Sequence, residues 1–417
     1  MMRILWVKAG KLLPVDTGGK IRSFNILREL AATNAVTLLS YYGGERDEDY
    51  EQQIQDRFAG AMTIHTAAPD ATGVERALDY LRRLPSSAPY AVTKFYSPEV
   101  EQWINDRRGT RQFDVAVCDF LSATLNFSEP LVMPTVLFQH NVESVLWRRQ
   151  AAHEPNLIQR LAFKIEAAKM ARYERSAVNR FHHIIAVSEQ DREQMAVMTD
   201  AARISVVPTG VDLKQFTATL GVRASRPVVV FVGSMDWEAN IDGVDFFCRD
   251  VWPLVVRAVP DATLRLVGRN PHARVTRWAD ESIEVTGTVP SVIEHYEEAM
   301  INIVPLRIGG GTRLKIYEAM AMGKATVSTS IGAEGLDVED GRDILLADDP
   351  ASFADAIIQL VRDDSLRRRI EDAAARKAAQ YDWSMIAGRF ADILARVAKA
   401  TNANRIERAA QASSAAV

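Results

Sequence analysis

Apolar and polar positions along this chain follow two rhythms. Short, mostly apolar runs recur, and between them lie stretches whose apolar residues return every three or four positions. The first series of runs is RILWVK (3–8), AVTLLSY (35–41), AMTIHT (61–66), FDVAVCD (113–119), TVLFQH (135–140) and HIIAVS (183–188). Each is too short for a helix and reads as a buried strand. The intervening stretches read as helices; in IRSFNILRELAA, Phe24, Leu27 and Ala31 share one stripe. A second series follows: PVVVFVGS (227–234), TLRLVGR (263–269), IEVTGTV (283–289), INIVPL (301–306), ATVSTS (325–330) and DILLA (343–347). Strand–helix alternation of this kind predicts parallel sheets with helices on both faces.

Two such series predict two doubly wound α/β domains. The 417 residues are more than one hydrophobic core usually serves. The weakly patterned stretch ISVVPTGVDLKQF (204–216), followed by TATLGVRASR, places the junction near 180–210, giving domains 1–181 and 182–382. The amphipathic segment at about 383–400 comes after the second domain is complete and is expected to pack back on the first. Residues 401–417 are small and polar and read as a flexible tail.

Composition narrows the function. Hydrophobic residues are 47% and charged residues 25%, as in ordinary globular chains. Lys plus Arg is 50 against 54 for Asp plus Glu, a net charge of -4, which gives no sign of nucleic-acid binding. Cys118 and Cys248 lie in separate apolar segments with no paired Cys or His spacing, so neither a metal site nor a disulfide framework is expected. The start, MMRILWVKAGKLLP, is charged too soon for a signal peptide, and no apolar run reaches about 18 residues. A cytoplasmic protein is expected, with peripheral membrane contact left open.

The stretch GGGTRLKIYEAMAMG (309–323) carries the strongest chemical signal. It follows the run ending at Leu306. Gly309, Gly310 and Gly311 leave the backbone bare, Thr312 suits a helix N-cap, and Gly323 suits the stop after a helix reaching about Met322. A strand, a glycine turn and a helix start make a site for anionic oxygen. Arg313 and Lys315 oppose the helix dipole unless an anion neutralises them. Glu318 shares a stripe with Leu314, Ala321 and Met322 and needs partners, such as ligand hydroxyls.

In the first domain, DTGGKIRSF (16–24) places Gly18, Gly19 and Lys20 at a turn after the first strand. That turn can serve a ligand or only packing. TVLFQHNVES (135–144) ends a strand with His140, Asn141 and Glu143; a lone histidine there is either structural or a ligand contact near its titration range. His182 and His183 read as structural. The helical stretch 157–180 carries Arg160, Lys164, Lys169, Arg172, Arg175 and Arg180, which suits a solvated face or a patch meeting anionic lipid.

The motif at 311–329 resembles the donor-binding segment of the retaining glycosyltransferases of family four. FQHNVE and GSMDWEANIDG (233–243) are similar to segments of sugar transferases from bacterial exopolysaccharide clusters. The resemblance covers nearly the whole chain. It implies the GT-B fold, two facing Rossmann-like doubly wound domains with an interdomain cleft. It also implies a metal-independent transferase moving a sugar from a nucleotide diphosphate sugar to a glycan or lipid-linked acceptor, with no cofactor. Glu318 matches the residue that binds the nucleotide ribose. The 309–312 amides with Arg313 and Lys315 would meet the diphosphate, helped by backbone at Gly233 and Ser234 and by the Gly18–Gly19–Lys20 turn. His140 would lie near the reacting sugar, with Asn141 and Glu143 as sugar or acceptor contacts.

Two departures stand out. The family often has a second acid eight positions before the ribose-binding one, where this chain has Gly310; and the segment after the first strand of the second domain has Asp236 and Glu238 where a cation pair is common. Two other functions fit the same fold: a nucleotide-sugar 2-epimerase, and a non-catalytic nucleotide-sugar-binding assembly partner.

Overall fold

The computed structural model describes every residue except 67–72, 108–109, 111, 155, 218–225, 309–312 and 415–417. The chain divides into two units, Met1–Pro208 with Ile386–Val417, and Thr209–Met385. The first holds β1 (Arg3–Ala9), β2 (Ala35–Tyr42), β3 (Met62–His65), β4 (Val115–Asp119), β5 (Thr135–Phe138), β6 (His183–Ala186) and β7 (Ile204–Val206). These pair in parallel in the order β3-β2-β1-β4-β5-β6-β7. The second holds β8 (Val228–Val232), β9 (Thr263–Val267), β10 (Ile283–Gly287), β11 (Ile301–Val304), β12 (Ala325–Ser328) and β13 (Leu345–Leu346), also parallel, in the order β10-β9-β8-β11-β12-β13.

Each order reverses direction once, between β1 and β4 in the first sheet and between β8 and β11 in the second. Crossovers leave in opposite directions there, so the loops beyond the strand ends part and open a crevice. The strands around both points are buried on both faces: Ile4, Leu5, Trp6 and Val7 have no exposed surface, nor have Val229, Val230 and Phe231.

Three expectations change. The segment ISV, placed at the junction by its weak pattern, is β7, which pairs with β6 through Ile184↔Ile204 and Ala186↔Val206. The boundary therefore falls after Pro208 rather than after residue 181, because β6 and β7 take their hydrogen bonds from the first sheet. In the Gly18–Ala31 helix the inward residues are Arg22, Ser23, Asn25, Ile26, Leu27 and Leu30, while Ala31 is exposed. A buried arginine in place of an apolar residue is the first sign that this edge carries chemistry. Lastly, the final helix runs from Trp383 to Ser414, so residues 401–414 continue it.

That helix closes the first unit. Phe390, fully buried, lies 5.4 Å from the Trp6 ring and 5.0 Å edge-on to Phe138. Phe390→Ala is expected to cost about 3–5 kcal/mol in denaturant unfolding of the first unit, the usual loss for emptying a buried aromatic site. A cost below about 1 kcal/mol would show that the helix merely rests on the sheet.

Candidate functional site

In the second unit, the loop after β8 and the Leu314–Ala321 helix meet. Asn240, buried, is the joint. Its amide donates to the Ser234 carbonyl at 2.7 Å, and its oxygen accepts from Lys315 Nζ at 3.1 Å. Lys315 Nζ sits 4.2 Å over the Phe231 ring. A Cβ on Gly233 would stand 2.5 Å from Lys315 Nζ and 2.8 Å from Asn240 Nδ2. Gly233 is bare so that the lysine can reach the strand end. Arg313, buried at the N-cap position of the helix, lies 5.2 Å over Trp237.

Burial, helped by the neighbouring Arg313 charge, pushes Lys315 down to about 7, with Glu318 opposing. Burial pushes Glu318 up to about 7, with Lys315 opposing. Both retain some accessible surface, yet each is surrounded closely enough to lose much of its hydration. Glu318 makes no side-chain hydrogen bond among the described residues. Arg313 takes the N-cap position expected of Thr312, so the helix starts at Leu314, one residue later than expected; it ends as expected, since Gly323 has φ 66°, the left-handed stop. Gly309, Gly310, Gly311 and Thr312 lie outside the described residues. Asp236 and Glu238 are engaged by Asn270 at 3.1 Å and Arg274 at 2.7 Å.

In the first unit, β1 and β4 bring Lys8 opposite Asp119 in register. Asp119, with no exposed surface, takes Trp6 Nε1 at 3.1 Å and Lys8 Nζ at 3.3 Å on Oδ2, and His140 Nε2 at 2.8 Å on Oδ1. Arg22 Nη1 lies 2.9 Å from His140 Nδ1. A guanidinium only donates, so Nδ1 accepts and the imidazole carries its proton on Nε2. Phe120 stacks on His140 with centroids 3.7 Å apart, and Lys8 Nζ lies 4.0 Å over Phe120. Phe120 has φ 74°, and a Cβ on Gly19 would come within 2.5 Å of its ring. Gly19 thus makes room for Phe120. Gly18 opens the helix at the surface, and Lys20 is held locally by Asp16 at 3.0 Å and the Pro14 carbonyl at 3.2 Å.

The expectation that His140 titrates near neutrality fails. Burial pushes it down to about 3, with the nearby Arg22 and Lys8 charges adding to the effect against Asp119. For Asp119, burial raises the carboxyl, but Lys8 and the His140 N–H outweigh it and hold it well below the usual range. Asn141 and Glu143 stand just beyond. Glu143 is pushed up to about 7, first by burial and then by Glu174, with Asn141 opposing. Glu174 accepts the N–H groups of Glu143 at 2.8 Å and Ser144 at 3.0 Å, capping the Glu143–His153 helix. His182 and His183 bond Thr135 and Ser205, as structural residues do.

Comparison with known proteins gives two family matches. Residues 18–215 match "Glycosyltransferase Family 4" and residues 226–363 match "Glycosyl transferases group 1". The chain belongs to the family-four glycosyltransferases. Its matched segments hold every expected site residue and Asn240. This glycosyltransferase is 23% identical over 389 residues to an uncharacterised 44.6 kDa protein in the cps region of Klebsiella pneumoniae, covering 89% of the chain and 94% of that protein. It is 28% identical over 226 residues to a phosphatidyl-myo-inositol mannosyltransferase of Mycobacterium leprae, covering 51% of this chain and 59% of that one. Its fold matches sucrose-phosphate synthase from Thermosynechococcus elongatus (TM-score 0.68, 17% identity, 95% and 100% coverage). It also matches Anabaena HepE in complex with UDP-glucose (TM-score 0.64, 15% identity, 95% and 100% coverage). The GT-B fold follows: two Rossmann-like parallel-sheet units.

The sequence reading of this glycosyltransferase missed Lys8, Arg22, Asp119 and Asn240. The first three had a signal, since each is a charge inside or beside an apolar stripe, and such charges stay buried only with partners. Asn240 had none beyond its place in GSMDWEANIDG. His140 is expected to keep its Nε2–H neutral form between pH 8 and pH 5. Nitrogen NMR of the imidazole checks this; titration near pH 6.5 would break the assignment. His140 binds fewer protons folded than unfolded between about 3 and 6.5. Its stability contribution is therefore complete above pH 6.5 and declines as pH falls towards 3.

Proposed function

We propose that this chain transfers a sugar from a nucleotide diphosphate sugar to a hydroxyl acceptor with retention at the anomeric carbon, in the synthesis of an exopolysaccharide or another cell-surface glycan. The observation that carries the reading is the pairing of Lys315 with Glu318 on one helix beside the bare Gly233. A half-desolvated cation and carboxylate fit a ligand with both an anionic group and hydroxyl donors, and a nucleoside diphosphate has both. The relatives add support: one lies in a cps region, one is a mannosyltransferase, and a structure of similar fold binds UDP-glucose.

In this reading the ribose hydroxyls donate to Glu318, and the diphosphate meets Arg313, Lys315 and the backbone of Gly233, Ser234 and 309–312. The bond from the anomeric carbon to the diphosphate oxygen breaks as the acceptor oxygen bonds the same face. The hydroxyl proton passes to the leaving phosphate. Charge grows on that phosphate, where Arg313 and Lys315 are already in place. Those cations take the place of a metal, so transfer is expected to need none. Because Gly310 stands where a sugar-binding acid is common, the donor sugar is held by backbone amides or by another residue. His140 serves the sugar side as a fixed neutral imidazole, and one of its partners must yield a ring nitrogen for direct contact.

Two variants separate these roles. Glu318→Gln is expected to weaken nucleoside diphosphate binding without lowering the melting temperature. His140→Ala should leave that binding intact and reduce transfer by about 100-fold, the scale of a positioned polar group. Unchanged nucleotide affinity in the first variant, or full transfer in the second, removes the corresponding role.

Lys315 gives a pH signature. A diphosphate binds its protonated form and raises its pKa. Affinity therefore weakens as pH rises above about 7, by up to about tenfold per unit, until the bound-state pKa is reached. Lys315→Arg keeps its charge throughout and should flatten this limb in calorimetric titrations. An identical slope in both proteins would exclude Lys315 as the diphosphate cation.

A further inference from the structure

The Leu157–Arg180 helix of the first unit turns an unusual face to solvent. Leu157, Ile158, Leu161 and Ile165 are 69%, 81%, 60% and 39% exposed. They occupy one side of the first turns, and Asn156 caps this end by accepting from the amides of Ile158 and Gln159. Farther along the same side come Lys164, Arg172 and Arg175, all exposed. The helix has two acids, and both point inward. Glu166 accepts from the Tyr90 amide at 2.7 Å, and Glu174 caps the neighbouring helix. Its outward charges are therefore all positive.

A nearby helix also exposes aliphatic side chains. Lys169 Nζ reaches the Leu84 carbonyl at 2.7 Å, just past the Gly73–Arg83 helix, where Leu78 and Leu81 are 51% and 58% exposed. Large aliphatic side chains exposed together on one surface mark an interaction site. The charges decide the partner: aliphatic residues among cations, with acids turned away, complement an anionic bilayer, whose headgroups meet the cations while the leucines enter the acyl boundary. Among the described residues no helix is long and apolar enough to cross a membrane, so the contact lies in the interface plane.

We propose that the outward face of Leu157–Arg180 seats the first unit on an anionic lipid surface. The test is co-sedimentation of the full chain with phosphatidylcholine vesicles, with and without phosphatidylglycerol. Binding is expected only with the anionic lipid and is lost at high salt, as charges near a surface are screened. Lys164→Glu with Arg172→Glu should weaken partitioning about fivefold or more per residue. Ile158→Ser with Leu161→Ser should weaken it through different side chains. Loss in both pairs at unchanged melting temperature supports the proposal. Equal binding to pure phosphatidylcholine, or retained binding in either pair, overturns it. So does a dimer in light scattering that Leu161→Ser dissolves, because the face would then belong to a second copy.

Discussion

Parallel pairing is the constraint on which both candidate sites depend. A parallel neighbour can be reached only through a crossover, so every strand in a sheet ends at the same edge. Where the order of crossovers reverses, that edge opens. The protein places its chemistry at both reversals. Lys8 and Asp119 end β1 and β4, and Gly233 with the helix bearing Lys315 and Glu318 follows β8 and β11. The sheets bring the groups together because they hold the strand ends in register.

The two edges handle buried charge differently. In the first unit the protein supplies its own partners: Asp119 collects Trp6, Lys8 and His140, and Arg22 joins through His140. Such a network is rigid, and removing one member leaves another unpaired. In the second unit, burial moves Lys315 and Glu318 towards their neutral forms, and only Asn240 holds the lysine by a direct bond among the described residues. That site carries a desolvation cost that a ligand with charge and hydroxyls would relieve.

The fold was largely legible from the sequence because a strand buried on both faces leaves a continuous apolar run, and such runs sat where β1 to β6 and β8 to β13 were found. The miss, β7, is an edge strand of three residues, Ile204–Val206, whose apolar run is interrupted by Ser205. In the candidate site, glycines were read as ligand room. Gly19 and Gly233 also make room for Phe120 and Lys315, a role that depends on contacts over 100 and 82 positions away in the chain. The histidine was found, but its chemistry was not. Its proton affinity is set first by burial, and then by Asp119, Arg22 and Lys8, which surround it only once the helix after β1 has packed against β4 and β5. A residue's type shows what it can do; its neighbours determine its charge.

The first unit is made of two pieces of chain, with Thr209–Met385 inserted between them and Phe390 completing its core. During synthesis, the seven strands of the first sheet leave the ribosome well before the helix that covers Trp6 and Phe138. At roughly 5–20 residues per second, the interval is on the order of 10–30 s. For that time an apolar face of the sheet waits uncovered while the second unit is made and can fold by itself. The order of the gene thus gives the unit that begins first the last step to complete, and makes the nascent chain a natural client for chaperones that shield apolar surface.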